Sequence, residues 1–229
     1  MRNAIKTLWS WFTRIALLFS FVQTKVQRGR IFGVKLHGWG KQNCIFADDG
    51  EVAFSDILIR GNNNRLINSG KLDRCNITMD GNDNQLELLP GAHITCSTIV
   101  LRGNHCHIVI EKNSDIGGMN AVCQGQSNEI LIGKECLFST DIELWASDTH
   151  TIYDENGSIC NHSKSIHIGD HVWLGKGVAV LKGCSIADGS VIGMRSLVTR
   201  DIPAKVIAAG NPAKVIKSNV IWDRAFIDL

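Results

Sequence analysis

A parallel β-solenoid, an all-β chain wound into a narrow prism, is the fold this sequence predicts, and three observations carry the prediction. First, from Ser165 to Thr199 an aliphatic residue returns at every sixth position: Ile168, Leu174, Val180, Ile186, Ile192 and Val198. Two residues before each stands Ile166, Val172, Val178, Cys184, Ser190 or Ser196. Alternate residues of a strand share a face, so both sets point into one interior. Second, turn-forming residues such as Gly169, Gly175, Ala187 and Gly193 follow the aliphatic positions and keep their phase. Third, a helix is excluded. Helical cores need apolar residues three and four apart, and the glycines at 169, 175, 177, 183, 189 and 193 would each cost a helix about 1 kcal/mol relative to alanine.

The chain begins with a segment of another character. Residues 1–47 contain eight basic residues and no acid, so every one of the 22 acidic residues lies beyond Ala47, although the formal net charge is only +2. Within it, Leu8 to Val22 is aromatic-rich, helix-compatible and interrupted by Arg14. The apolar run from Ile15 to Val22 is far shorter than the about 20 residues a membrane-spanning helix needs, and no small-x-small cleavage site follows it. Residues 1–33 are therefore expected to form a basic amphipathic helical segment at a membrane surface or a partner; oligomer contact and a cleaved signal are the less favoured readings.

A solenoid is expected over 34–206, in two styles. Ile57 to Ile67 is echoed by Ile77 to Leu88, Ile99 to Ile110 and, more loosely, Ala121 to Ile132. Each unit is strand, Gly/Asn turn, strand, and each is one turn of the coil. Three hexads make a rung of 18, so these longer units imply larger corners in the first half. Asn64, Asn84 and Asn128 are expected to stack at one corner and hydrogen-bond along the solenoid. Residues 207–229 are read as a C-terminal tail. The eight cysteines form no CxxC pair, and several fall at inward positions, which points to small reduced core residues and a reducing compartment.

The periodicity breaks once, between about Phe138 and Lys164, around Ser147-Asp148-Thr149-His150-Thr151-Ile152-Tyr153-Asp154. Loops that leave a rigid scaffold are where binding and chemistry concentrate. This loop, the six hexads, the segment Ile168-Gly169-Asp170-His171-Val172-Trp173-Leu174-Gly175, and the ending Thr199 to Pro203 with Gly210-Asn211-Pro212-Ala213-Lys214 together resemble the left-handed β-helix acyltransferases. Within that superfamily they most resemble the polysaccharide O-acetyltransferases of capsule and surface-glycan clusters. The resemblance covers about residues 57–217 and is tightest over 145–217. It implies the left hand of the coil, which period alone does not give, since ordinary parallel crossovers are right-handed. It further implies an acetyl-CoA-dependent homotrimer, with active sites between subunits.

Transfer of acetyl to a sugar hydroxyl needs a base, and His150 matches the family's catalytic histidine. A carboxylate is the usual companion of such a histidine. Asp148, two residues away in an extended segment, is preferred over Asp154, and the choice stays open. Trp173 follows His150 by 23 residues, close to one rung, which would bring the two together on adjacent turns or across a trimer interface. The resemblance makes it a second catalytic residue whose indole N–H serves an oxyanion or the thioester carbonyl; packing against a neighbouring subunit is its other reading. The acetyl-CoA site is expected along the later coils at Gly175, Lys176, Gly193, Met194 and Arg195, with Lys205 and Lys214 toward the distal phosphates.

The remaining histidines, His93, His105, His107, His162, His167 and His171, give no metal spacing, so no metal is expected; three of them converging at a subunit boundary on zinc, as in a carbonic anhydrase-like enzyme, is the outlying alternative. The expected protein is a cytoplasmic O-acetyltransferase, peripheral to the inner face of the membrane through residues 1–30. Its acceptor is a surface polysaccharide or its precursor, and nucleic acid is not expected as a partner. The alternatives are a small acceptor (serine, a simple sugar or an amino sugar) and a non-catalytic glycan-binding solenoid.

Overall fold

The computed structural model describes residues 22–225 and 227. The expected coil is there. Three sheets form the sides of the prism: sheet 1 has eight strands from Val22–Gln27 to Ser185–Ile186, sheet 2 has ten from Arg30–Phe32 to Lys214–Ser218, and sheet 3 has eight from Lys35–Trp39 to Leu197–Val198. The chain visits them in the order 1, 2, 3 on each turn, and every strand before Lys214–Ser218 pairs in parallel with its counterparts in the adjoining coils. Among the described residues no helix is present.

The six-residue period becomes the core directly. Ile168, Leu174, Val180, Ile186, Ile192 and Val198 are buried, and so are all six residues two positions earlier. Registers such as Ile130 opposite Ile166 and Ile168 opposite Ile186 stack like residues in columns along the axis. Each buried aliphatic side chain contributes roughly 1.5–3 kcal/mol by leaving water.

The Gly/Asn units make the corner between sheets 3 and 1 a hydrogen-bonded ladder. Asn43 Oδ1 accepts the Asn64 N–H at 2.9 Å, Asn64 Oδ1 accepts the Asn84 N–H at 3.1 Å, and Asn84 Oδ1 accepts the Cys106 N–H at 3.0 Å. The side-chain amides of Asn64 and Asn84 donate to Gly81 O and Gly103 O, and that of Asn128 to Gln124 O and Ala146 O. Asn64 and Asn84 thus stack as expected, whereas Asn128, beyond the Cys106 coil, meets no other asparagine and its Oδ1 accepts the Ser165 hydroxyl at 3.1 Å. Beside them the glycines lie in a column: a Cβ on Gly81 would sit 1.8 Å from Gly103 O, and one on Gly103 2.0 Å from Gly125 O. With φ of 125° and 114°, both also occupy backbone conformations that favour glycine.

The coil starts earlier than 34. Val22–Gln27 pairs with Asn43–Asp48, and Arg30–Phe32 with Glu51–Ala53, so residues 22–33 form strands. Val22, Thr24 and Val26 take the phase of Asn43, Ile45 and Ala47, while Gln23 and Lys25 take the alternate positions. The helix expected further upstream falls in residues 1–21, outside the described residues. At the other end Val206–Ala209 continues sheet 2 in parallel, and the chain then turns back as Lys214–Ser218, antiparallel to it.

Cys75, Cys106, Cys123, Cys136 and Cys184 are buried free thiols, as their inward phase requires, whereas Cys96 and Cys160 are exposed. Burial pushes the thiols of Cys75 and Cys136 up to about 11. A hydrogen bond from Thr95, helped by Arg74, lowers that of Cys96. Iodoacetamide at pH 8 should therefore alkylate Cys96 at least about tenfold faster than Cys75 or Cys136, read by peptide mass spectrometry, because the thiolate is the nucleophile. For the ladder, Asn84→Ala should destabilise the fold by about 1–3 kcal/mol for each buried group left unpaired. The exposed Asn62→Ala should cost less, with both measured by urea unfolding.

Candidate active site

The loop leaves the prism after Trp145, at the end of sheet 3, and rejoins it at Ile166 in sheet 1. Its base is closed by the Lys164 N–H on Ala146 O at 3.1 Å. Ser147 is buried there, and its Oγ accepts the Thr149 N–H at 3.0 Å. That contact accompanies a left-handed turn at Thr149, φ 63°. The tip is a hairpin with Tyr153 opposite Ile159 and the Cys160 N–H on Ile152 O at 3.0 Å.

Asn161 is the clasp of this loop. Its Oδ1 accepts the Ile152 N–H at 2.7 Å, and its amide donates to His150 O at 2.8 Å and to Asp148 Oδ2 at 2.9 Å. From the coil above, Lys182 donates its ammonium to the Asp148 carboxylate and, at 2.8 Å, to Asn161 O. From the coil below, the Gln124 amide donates to Thr149 O at 3.2 Å. The Lys182 ammonium, with Asn161, holds the Asp148 carboxyl below its ordinary range. The backbone of His150 is pinned on both sides, by its N–H on Asp148 O at 2.7 Å and by Asn161 on its carbonyl, while the residue stays exposed.

The carboxylates therefore meet other partners than the imidazole. Asp148 is engaged by Lys182 and Asn161, and Asp154 Oδ1 caps the hairpin by accepting the N–H groups of Asn156 and Ser158 at 2.9 and 2.8 Å. Asp148 meets His150 through the loop backbone, its carbonyl oxygen accepting the His150 N–H.

Trp173 lies on sheet 2, between Leu137 and Val191 of the adjoining coils, its side chain outward and 40% exposed. Sheet 2 is opposite the corner from which the loop departs. The 23-residue spacing does not measure a rung here: the loop leaves the coil, and the coil partner of Trp173 is Leu137, 36 residues back. Within one chain the two residues thus stand on different faces.

The predicted acetyl-CoA residues largely gather. Gly175 and Lys176 occupy the corner between sheets 2 and 3, and Gly193, Met194 and Arg195 lie directly above, with the Arg195 N–H on Lys176 O at 2.8 Å. A Cβ on Gly175 would approach the Met194 nitrogen to 2.8 Å, and one on Gly193 the Ala209 Cβ to 2.9 Å, so both glycines permit the coils to stack. Met194 is exposed, and Lys176 pairs with Asp141 at 3.2 Å. Lys214 follows the turn above this corner, where the Ala213 N–H reaches Leu197 O at 2.8 Å. Lys205 stands elsewhere, at the corner between sheets 1 and 2, with its N–H on Asp188 O at 2.9 Å.

The other histidines disperse over the surface. His167 meets Glu129 at 2.9 Å, His93 meets Asp115 at 3.4 Å, and His171 stacks on Trp222 with ring centroids 4.0 Å apart. Among the described residues no three potential ligands cluster as a metal site.

A family model for the bacterial transferase hexapeptide (six repeats) matches residues 165–200. A polysialic acid O-acetyltransferase of Neisseria meningitidis is 31% identical over 172 residues, covering 65% of this chain and 79% of that protein. The chain belongs to the hexapeptide-repeat acetyltransferases. A polysialic acid O-acetyltransferase of Escherichia coli O1:K1 is 36% identical over 118 residues, or 51% of this chain, and the match spans 38% of that longer relative. The solved polysialic acid O-acetyltransferase OatWY has a TM-score of 0.73 at 27% identity, over 90% of this chain and 93% of its own. The fold is the left-handed β-helix of the acetyltransferases, as the resemblance implied.

Asn161, Lys182, Gln124 and Trp222 carry no motif, and each acts on a residue of another coil, on the far arm of a loop or on a returning tail. Their only sequence signal is position: Lys182 and Gln124 occupy the corner that the loop leaves. Lys182→Met should free the loop base, and limited proteolysis should then cut within 150–160 about tenfold faster than in the wild type, since cleavage follows the population of the open form. Circular dichroism of the coil should be unchanged.

Proposed function

We propose that this protein transfers the acetyl group of acetyl-CoA directly to a hydroxyl of a surface polysaccharide, a sialic acid polymer being the first acceptor to test. The observation that carries the reading is the loop: an exposed His150 whose backbone is clamped from both sides, on a scaffold shared with polysialic acid O-acetyltransferases. An alcohol is a weak nucleophile at neutral pH, and a general base that takes its proton as the C–O bond forms contributes typically about 10²–10⁴-fold.

In this reading His150 removes the hydroxyl proton while the oxygen attacks the thioester carbonyl. The C–S bond breaks, and the imidazolium returns the proton to the leaving sulfur, so CoA departs as a thiol and no acetyl-enzyme forms. Trp173 stands on a different face of its own chain, which favours a homotrimer in which His150 of one subunit meets Trp173 of another. The Trp173 indole N–H then donates to the developing oxyanion. The corner at Gly175, Lys176, Gly193, Met194 and Arg195 would receive the pantetheine arm, with Lys214 near the phosphates and Lys205 in a more distant role. Among the described residues no helix is long and apolar enough to cross a membrane. A cytoplasmic enzyme, held near the membrane by residues 1–30, suits a co-substrate made in the cytoplasm and an anionic leaflet that attracts basic segments.

The test is CoA thiol release from acetyl-CoA with polysialic acid, other bacterial polysaccharides and small acceptors. Polymer-dependent release that falls by about 10²–10⁴-fold in His150→Ala is expected, with the sedimentation of the trimer unchanged. Release with small acceptors alone would reassign the acceptor. Full activity of the variant would remove His150 from the reaction.

A further inference from the structure

The last described residues do not trail from the coil; they return across it. After Lys214–Ser218 the Val220 N–H bonds Lys205 O at 3.0 Å, and the chain then descends the corner between sheets 1 and 2. The Trp222 indole N–H donates to His171 O at 2.8 Å, and the His171 Nε2 meets Trp222 O at 3.0 Å. The two rings stack with an interplanar angle of 8°. Lower still, the Arg224 guanidinium donates to Cys136 O and to Asn113 O, both at 2.8 Å, two coils that precede His171. The strap is thus fixed at successive levels of one corner, and Trp222 is only 8% exposed although it lies outside the prism.

The strap also reaches Trp173. The Trp222 ring lies 5.7 Å from the Trp173 ring, tilted by 43°, a contact geometry typical of paired aromatics. In the coil Trp173 is in register with Leu137 and Val191, neither of them aromatic, and the aromatic contact comes from the tail. We propose that Trp222 is a positioning residue for acyl transfer, which fixes the indole of Trp173 through ring contact while His171 and Arg224 lock the strap. This inference rests on Trp173 belonging to the transfer site, and it adds to that site a residue from the end of the chain. A donor must lie at the place where the oxyanion develops, and a displacement of about 1 Å can cost about 10²-fold.

The experiment uses the full chain in two measurements. Protein labelled with 5-fluorotryptophan gives a ¹⁹F signal for Trp173, assigned by its loss in Trp173→Phe. That signal should move or broaden in Trp222→Ala and stay close to its place in Trp222→Phe. Turnover with acetyl-CoA and polysialic acid, or the acceptor the release assay identifies, should fall by about 10- to 100-fold in kcat for Trp222→Ala, with KM for acetyl-CoA unchanged and most of the rate restored in Trp222→Phe. In the Trp173→Phe background, Trp222→Ala should cost nothing further. Arg224→Ala, which loosens the strap without touching either tryptophan, should shift the same signal less. It keeps the test available should Trp222→Ala fail to fold. An unmoved ¹⁹F signal in Trp222→Ala, or an equal loss of kcat with and without Trp173, overturns the proposal. Full turnover by Trp173→Phe overturns the assignment of Trp173 itself, and with it any part for Trp222 in turnover.

Discussion

The strands of each coil are bonded to the coils above and below them rather than to one another. The parallel ladders of all three sheets run along the axis, so a residue's neighbours are those one turn away at the same phase. This requirement of phase makes every other feature possible. It keeps Ile168 under Ile186 and Leu174 under Ile192, and it lets the side chain of Asn84 satisfy the backbone of Cys106 one turn on. An insertion is tolerated where it restores the phase on return, as the loop does between Trp145 and Ile166.

The same constraint separates what was legible in the residues from what was not. The hexads from 165 to 199 were readable because the period of the sequence and the period of the coil are one quantity. The break at 138–164 was readable as the failure of that quantity. The loop's clasp was not, because Lys182 sits at a corner where any solvated lysine would serve, and its partner Asp148 is 34 residues away. Trp222 was hidden for a similar reason: the tail meets His171 across 51 residues without any repeat to announce it. At the start, Val22–Gln27 alternates too weakly to compete with the aromatic run before it, so its sequence does not distinguish a strand from the end of a helical segment.

The Asn ladder illustrates how a solenoid absorbs an irregular residue. At the coil of Cys106 the side-chain carbonyl is missing, yet the Cys106 N–H still donates to Asn84 Oδ1, and the thiol lies 3.5 Å from Gly125 O. Its neighbour Cys123 is raised by the hydrogen bond to Cys106 and by burial, which keeps it a thiol rather than a thiolate. Within the aliphatic core these two small groups thus satisfy each other's polarity. The charges gather outside it, where Lys182 and Asp148 join the loop to the coil.

The reversal at the top of sheet 2 has a further consequence. A parallel coil exposes at its end the very edge on which another turn could be laid, so an unblocked solenoid is a template for end-to-end fibre growth. Here Lys214–Ser218 runs antiparallel to Val206–Ala209 and carries Lys214 and Lys217 on that edge, while the register slips between Ile207 and Ala208. An incoming chain would meet reversed polarity, a bulge and like charge in place of a continuing ladder. The turn that ends the coil thus also closes the sheet 2 edge to a further parallel strand.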